Sequence, residues 1–282
     1  SKDKIFSLLK DFKYVIPQGS PMYGIGNNHS MTSLSNCFVI GNNNNSDSYS
    51  SIMRTDEEQV QLMKRRGGVG HDISHLRPGG ALANNTTLKG LSGATLYMDR
   101  YSNSTREVAQ GDRRGALMLS IDVRHPDTGR FIDAKLDSTK VTGANISVKT
   151  TDEFMDAVKN DRIFLQTFPI TKSFTELTYS KPEDLELNKL YEGAGGYYKV
   201  VKAKYIWDKI IKNAWKSAEP GVLFWDTVLN ESSTKGYGDE WKEVSTNPCG
   251  EIPLNPYDSC RLLAMNLFSY VENPFTPHSS FN

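Results

Sequence analysis

The sequence is poor in cysteine: its 282 residues include only Cys37, Cys249 and Cys260. Three thiols with such uneven spacing make a poor disulfide framework, so we expect a reducing, cytoplasmic compartment. Excess charge of either sign is also missing, because 33 basic residues balance 33 acidic residues. This balance gives no electrostatic reason to expect a nucleic-acid or membrane partner.

Long apolar runs are absent as well. No stretch reaches the roughly eighteen apolar residues of a transmembrane helix, and the first twenty residues lack the apolar core of a secretory signal. The five histidines show no metal-ligand spacing apart from His71 and His75, which are four residues apart. Such a pair can bind zinc on a helix, but Gly70 and Pro78 indicate a loop here. We therefore expect this chain to bind no metal.

The segment 247–251 reads Asn-Pro-Cys-Gly-Glu and places an amide, a thiol and a carboxylate at alternate positions. In an extended strand or a finger-like loop, this alternation predicts three side chains that point together at one small ligand. They would supply a hydrogen-bonding amide, a hydrogen-atom carrier and a proton acceptor. The alternative is a simple turn around a buried cysteine, because Pro and Gly favour turns and a lone cysteine often packs as a small apolar residue.

The other two cysteines lie in apolar surroundings. Residues 34–40 have the pattern of a buried strand that carries Cys37, and residues 257–263 begin a second apolar segment, which carries Cys260. All three cysteine contexts can belong to one radical redox site.

Six separated blocks follow one another in a recognisable order: 35–39, 66–70 with 76–78, 110–116, 125–127, 207–224 and 247–251. Together they resemble the large, catalytic subunit of ribonucleotide reductases. The resemblance runs from about residue 17 to the end of the sequence and is poor near 161–200.

This resemblance implies a role for each residue of the candidate redox site. Cys249 matches the cysteine that becomes a thiyl radical and removes the 3′ hydrogen of the ribose, and Glu251 matches the base that accepts the 3′-hydroxyl proton. Asn247 matches the amide that holds the ribose hydroxyls. Cys37 and Cys260 match the pair that reduces the 2′ carbon and ends as a disulfide, which an external dithiol must reset. The residue chemistry agrees, since a sulfur radical forms reversibly and two thiols deliver two electrons.

Nucleotide-binding residues are also implied. Ser20 and Pro21 match the region that grips the substrate phosphates, and Asn36 and Gly68 are expected near the substrate. The alternatives are an ordinary loop at Ser20 and a tight turn of small residues at 67–70; a dinucleotide fingerprint is disfavoured there because the glycines follow a predicted helix. The block 110–116 resembles the flexible loop through which a bound effector selects which base of the substrate is reduced. The alternative for this block is a solvated basic turn. The residues expected at a deoxynucleotide or ATP effector site are Asp47, Ser48, Arg77, Gln110, Arg113 and Arg114.

Hydrophobic periodicity and capping signals predict alternating helices and strands. Thr55 with three following acidic residues predicts a helix start, and Gly67 and Gly68 predict its stop after about Arg66. The other predicted elements are a helix at 96–109, a strand at 117–123, a strand at 144–148 with a helix from 151–152, a β-hairpin-like insertion at 161–200, a helix from about 206 and a buried strand at 222–225.

This alternation predicts an α/β fold with a parallel sheet. The resemblance implies the first half of a ten-stranded α/β barrel, with the finger loop 247–251 inside it. We divide the chain into a helical lead-in (1–16), the first part of the half-barrel with effector and substrate loops (17–160), a variable β-rich insertion (161–200) and a final part with barrel helix, strand, finger loop and following strand (201–282). The second half-barrel is absent from the sequence, so we expect the chain to need a complementing C-terminal polypeptide and to be inactive alone.

The function expected from these features is allosterically regulated reduction of ribonucleotides, preferably diphosphates, for DNA replication. The radical would come from adenosylcobalamin or from a metal centre on a separate small subunit, and thioredoxin or glutaredoxin would supply the dithiol. A dimer of catalytic units is expected. The alternatives are a nucleotide-binding regulatory or degenerate fragment or a non-radical thiol enzyme, for which Cys249 would be dispensable, and a glycyl-radical relative with the same barrel.

Overall fold

A computed structural model describes residues 1–41, 47–83, 86–87, 93–110 and 113–282, with side chains described outside 83, 86–87, 109–110 and 113–114. The helices are α1 (Lys2–Leu9), α2 (Ser20–Gly24), α3 (Tyr49–Lys64), α4 (Leu96–Glu107), α5 (Thr128–Asp133), α6 (Asp152–Lys159), α7 (Phe174–Leu177), α8 (Ala203–Ser217) and α9 (Trp225–Glu231). The strands are β1 (Val15–Pro17), β2 (Cys37–Val39), β3 (Gly68–Asp72), β4 (Leu82–Ala83), β5 (Thr86–Thr87), β6 (Ala109–Gln110), β7 (Arg113–Arg114), β8 (Leu117–Asp122), β9 (Asn145–Thr150), β10 (Ile163–Phe168), β11 (Tyr191–Gly193), β12 (Gly196–Lys202), β13 (Gly221–Phe224), β14 (Ser245–Thr246), β15 (Pro253–Leu254), β16 (Ser259–Cys260), β17 (Leu263–Met265), β18 (Val271–Glu272) and β19 (Ser280–Phe281).

The main sheet has the strand order β13-β9-β8-β3-β2-β16. Strands β2, β3, β8, β9 and β13 run parallel to one another, and β16 runs antiparallel beside β2. Both β3 and β8 are buried along their whole length, as expected for central parallel strands whose two faces are covered. The predicted α/β class with a parallel sheet is confirmed.

Helices pack on this sheet through apolar side chains that belong to one large core. Ile52 and Met63 of α3 join Tyr101 of α4, and Phe154 of α6 joins Ile210 of α8. Helix α6 begins as predicted, because the Thr151 side chain accepts a hydrogen bond from Phe154 N and caps it. In the described part of the chain, no helix has the length and apolar character needed to cross a membrane.

Helix α3 begins earlier than predicted. Its N-cap is Ser48, whose Oγ accepts a hydrogen bond from Ser51 N at 3.2 Å. Thr55 lies inside the helix and donates its hydroxyl to Ser51 O, so the predicted start at Thr55 was wrong. The acidic residues after Thr55 imitate a first helical turn but lie in the third turn of the helix. The end of the helix is close to the prediction, because Arg66 adopts a left-handed φ of 68° just after Lys64.

The strand predicted at 222–225 and the insertion predicted at 161–200 are both present, but the first is less buried than predicted. The strand predicted to be buried at 222–225 is β13, which pairs with β9 at one edge of the described sheet and leaves Phe224 half exposed. Trp225 is buried, but it opens α9. The β-rich stretch expected at 161–200 corresponds to an antiparallel sheet of β10, β12 and β11, which packs on α7 through a small separate core.

Candidate active site

Cys37 and Cys260 are direct partners on neighbouring strands. The register of β2 and β16 pairs the two residues, and the Cys260 thiol is near enough to raise the pKa of the Cys37 thiol. Opposed residues of an antiparallel pair have Cβ atoms about 4.5–5.5 Å apart, so a small adjustment brings two thiols to disulfide distance. All three cysteines are free thiols. The pair is therefore placed to give up two electrons and close a disulfide.

The Cys37 thiol holds its proton firmly. Burial, together with the neighbouring Cys260, raises the pKa of Cys37 to about 12, while the Asn247 side chain has a smaller opposing effect. A thiol with such a pKa is protonated at neutral pH and is a poor nucleophile. It is suited to hydrogen donation rather than to attack as a thiolate.

The segment that carries Cys249 is the turn of a hairpin formed by β14 and β15. Asn247 N donates to Ile252 O at 3.2 Å, Gly250 N donates to Asn247 O at 3.0 Å, and Gly250 has a φ of 86°. The segment is a turn and not an extended strand, so the argument from strict alternation was wrong. The segment still has the shape of a finger, because the turn projects from two paired strands. Asn247 is buried at its base, and Cys249 is exposed.

The finger brings Cys249 into the same site as the cysteine pair. Partial burial raises the pKa of Cys249, and the Glu251 carboxylate and Cys260 raise it further. Cys249 in turn contributes to the raised pKa of Cys37. Cys37, from a distant segment, thus comes close to Cys249 and Cys260, and Glu251 acts on Cys249.

Asn247 offers a hydrogen-bond donor to this site. Its side chain is fully buried, and its Oδ1 accepts from Ile252 N at 3.0 Å, which fixes the orientation of the amide. The Asn247 side chain lowers the pKa of the nearby Cys37 thiol, and its Nδ2 makes no hydrogen bond among the described residues. A buried donor without a good partner costs about 1–3 kcal/mol, which a bound hydroxyl would offset.

Three of the four residues of the glycine-rich stretch 67–70 lie in β3, so the stretch does not form the tight turn considered from the sequence. A Cβ on Gly68 would lie 2.7 Å from Pro248 Cγ and 3.5 Å from Cys37 Sγ. A Cβ on Gly70 would lie 1.8 Å from Thr246 O. Glycine at both positions lets the finger lie directly on β3, so the structure gives Gly68 a packing role, and its contact with nucleotide stays a prediction.

The residues expected to hold substrate lie beside the cysteine strands. Ser20, the first residue of α2, is buried and donates to Arg66 O at 3.0 Å, with Pro21 next in the same turn. The Asn36 side chain donates to Gln18 O at 3.4 Å and accepts from Leu262 N at 3.2 Å. Asn36 thus ties the loop before α2 to the Cys260 segment through backbone groups.

Among the residues expected at an effector site, Asp47 and Arg77 are joined. Arg77 Nε lies 2.5 Å from Asp47 Oδ2, Arg77 N donates to Asp47 Oδ1 at 3.0 Å, and Nη1 donates to Leu82 O at 2.6 Å. Ser48 caps α3 immediately after Asp47. The backbones of Gln110, Arg113 and Arg114 form the β6–β7 hairpin, but their side chains, and residues 111–112 of the same predicted loop, lie outside the described part.

Sequence reasoning missed one direct contact to the finger tip. Asn145 Nδ2 donates to Pro248 O at 3.0 Å, the carbonyl of the peptide that leads into Cys249. In the sequence, Asn145 is a polar residue at the start of a predicted strand, which was the one available indication of this contact. Its importance depends on a contact between residues about a hundred positions apart, which no local pattern shows.

Comparisons with known proteins agree with this geometry. Residues 35–282 match the family model described as ribonucleotide reductase, barrel domain. The chain is 37% identical over 241 residues to the vitamin B12-dependent ribonucleoside-diphosphate reductase of Thermoplasma acidophilum, an alignment that covers 84% of this chain and 27% of that protein. It is 30% identical over 267 residues to the Mycobacterium tuberculosis protein of the same name, covering 94% of this chain and 34% of that protein.

A solved structure supports the fold. The Actinobacillus ureae class Id ribonucleotide reductase alpha subunit superposes with a TM-score of 0.68 at 17% identity, over 95% of this chain and 42% of that one. The chain thus spans about a third or less of the length of the two curated relatives. From the family match over most of its length and the relatives at 30% identity or more, the chain belongs to the ribonucleotide reductase barrel-domain family.

Proposed function

We propose that this chain supplies the catalytic thiols of a ribonucleoside-diphosphate reductase. The observation that carries the proposal is that the finger packs on Gly68 beside Cys37, which is paired with Cys260, so that Cys249 at its tip influences both thiols. The relatives are named ribonucleoside-diphosphate reductases, which supports a diphosphate substrate. Because the chain spans about a third or less of their length, the complete activity is proposed for the whole reductase, of which this chain is one part.

The chemistry follows from the positions of these groups. Cys249, as a thiyl radical, would take the 3′ hydrogen of the ribose, and Glu251 would accept the 3′-hydroxyl proton. Loss of the 2′ hydroxyl as water is balanced by two electrons and the protons of Cys37 and Cys260, which become a disulfide. Cys249 then returns the 3′ hydrogen atom, and Glu251 returns the 3′-hydroxyl proton. The free Nδ2 of Asn247 would hold a ribose hydroxyl during these steps.

Substrate and effector contacts complete the proposal. Ser20 and Pro21, at the start of α2, would contact the substrate phosphates, with Asn36 and Gly68 lining the same side of the site. A deoxynucleotide or ATP effector would be bound with help from Asp47, Ser48, Arg77, Gln110, Arg113 and Arg114. Arg77 is held by Asp47, so it would act there as part of an ion pair.

The proposed radical source is adenosylcobalamin, with a metal-centre subunit as the alternative. The exposure of Cys249 fits either source, since a thiol at an exposed tip can receive the radical from a group outside this chain. Adenosylcobalamin, when bound, supplies the radical equivalent, and the names of the two relatives favour it. Thioredoxin or glutaredoxin would reset the disulfide in the cytoplasm, and the catalytic unit would dimerise.

The test is formation of deoxynucleotide from a ribonucleoside diphosphate by the reconstituted assembly. The assay contains a dithiol and either adenosylcobalamin or a radical subunit, and it compares wild type with Cys249→Ser. We expect product with one radical source and none from the variant, with both proteins folded by circular dichroism. Product from Cys249→Ser would exclude the proposed role, and no product from wild type with either source would favour a regulatory or degenerate chain.

A further inference from the structure

A buried polar network lies beneath the finger, where three central strands meet it. Asp72 on β3 forms an ion pair with Lys149 on β9, with Lys149 Nζ 2.7 Å from Asp72 Oδ2, and both side chains are only 7% exposed. Ser120 on β8 donates its hydroxyl to the same carboxylate oxygen at 3.0 Å. The second oxygen, Oδ1, accepts from Ser74 N at 2.9 Å, so the carboxylate is held from both sides.

This network extends to the hairpin arm that leads to Cys249. Lys149 Nζ donates to Val244 O at 3.2 Å, and the hydroxyls of Ser120 and Ser245 lie 3.0 Å apart. Ser245 is fully buried and begins β14. The sheet thus binds the finger arm at two successive residues, while Asn145, on the same strand as Lys149, binds it again at the tip.

Stability alone is a poor reason for such a network. Removing two charges from water is costly, and well-packed apolar residues in place of a buried ion pair are often equally or more stabilising. The charged pair instead makes the contact directional, because the Lys149 ammonium group bonds to the Asp72 carboxylate and to one carbonyl of the hairpin, Val244 O. A polar contact of this kind can fix the register of a packed segment where apolar contacts would let it slide.

We propose that Lys149, held in place by Asp72, is a positioning residue for the finger and sets how Cys249 meets Cys37 and Cys260. Its effect on turnover rests on the proposed function. Its effect on the finger itself does not, since the geometry of the Cys249 thiol can be measured without any reaction.

The first test compares Lys149→Met with Lys209→Met in the reconstituted reductase. Lys209 is the matched control because its Nζ also binds a carboxylate, Asp133 Oδ2 at 2.5 Å, and a backbone carbonyl, Gly129 O at 2.9 Å, but joins α8 to α5. We expect Lys149→Met to lower kcat about 100-fold with KM little changed, since small misplacement of a reacting group has effects of this size. Lys209→Met should keep a kcat near that of wild type.

A double variant separates positioning from folding. Asp72→Asn with Lys149→Met removes both charges, so the thermal stability lost in Lys149→Met should be recovered at least in part. The bond to Val244 O stays absent, and kcat should stay low. Recovery of kcat together with stability would overturn the proposal, as would a wild-type kcat in Lys149→Met.

The second test measures the Cys249 thiol directly. Purified chains are treated with iodoacetamide under native conditions, and the alkylation rate of Cys249 is followed by peptide mass spectrometry. Release of the finger should increase this rate several-fold in Lys149→Met and in the double variant, but not in Lys209→Met. An unchanged alkylation rate in folded Lys149→Met would overturn the proposal. If the alkylation rate increases in Lys149→Met but the wild-type reductase forms no deoxynucleotide, the positioning role is upheld and the proposed function is rejected.

Discussion

The contact between the finger and β3 predicts a severe effect for one added methyl group, in Gly70→Ala. Ordinary contact begins at 3.4 Å, and the new Cβ would lie 1.8 Å from Thr246 O, so the hairpin must move away by about 1.6 Å. The obstacle is a backbone carbonyl, which cannot rotate aside as a side chain can. Overpacking of this kind costs about 1–3 kcal/mol of stability, small enough for a folded variant. Because Thr246 is three residues before Cys249, a shift of this size moves the reacting thiol.

The assay for Gly70→Ala is steady-state deoxynucleotide formation by the reconstituted reductase. We expect kcat to fall about 100-fold, as for other misplacements of about an ångström in a reacting group. Gly236→Ala is the matched control, since a Cβ at Gly236 would meet nothing within 4 Å. A folded Gly70→Ala variant with the kcat of wild type and an unchanged alkylation rate at Cys249 would refute the packing of the finger on β3.

Three further predictions concern capping and buried titratable groups. Ser48→Ala should lower the free energy of unfolding by about 1 kcal/mol in urea denaturation through loss of the α3 cap, whereas Ser50→Ala, in the exposed first turn, should change it little; equal losses would contradict the cap. Burial lowers the pKa of His71 to about 3, so the stability tied to neutral His71 is present above pH 6.5 and is lost as the pH falls toward 3. Between pH 6.5 and 4.5, the change in the free energy of unfolding with pH should therefore correspond to about one proton fewer in His71→Gln than in wild type. An identical dependence on pH in the two proteins would count against a neutral His71. Burial raises the pKa of Cys37 to about 12, so stability should decline as the pH rises from 9 toward 12, and Cys37→Ser should flatten this decline in the same experiment; a decline of equal slope in the variant would show that Cys37 is not its source.

Much of the site could be predicted because its chemistry is encoded locally. Each cysteine lies in a short segment whose composition differs from its surroundings, and the blocks around them carry the family resemblance. The strand of Cys37 and the apolar segment of Cys260 could be predicted from their side chains, and the structure pairs them in register. Alternating helical and strand periodicity was sufficient to predict the parallel sheet.

The remaining features depend on contacts between distant segments. A positive φ at Gly250 turns the finger tip, and a glycine in sequence does not reveal whether its freedom is used. Gly68 and Gly70 need to be small because the finger lies on them, a fact that residues 67–70 do not contain. Lys149 was hidden for a similar reason: a lysine beside a predicted strand suggests solvent, whereas here Asp72 keeps it buried. At α3, the acidic run after Thr55 favoured that residue as the cap, whereas the structure uses Ser48, whose first turn has no acidic residue.

The most direct measurement is a single turnover without external reductant. The reconstituted reductase is mixed with a ribonucleoside diphosphate and its radical source, and product and disulfides are then quantified by mass spectrometry after rapid alkylation. We predict one Cys37–Cys260 disulfide for each deoxynucleotide formed, with Cys249 recovered as an alkylated thiol. Product without that disulfide, or a disulfide that includes Cys249, would contradict the roles assigned to the three cysteines.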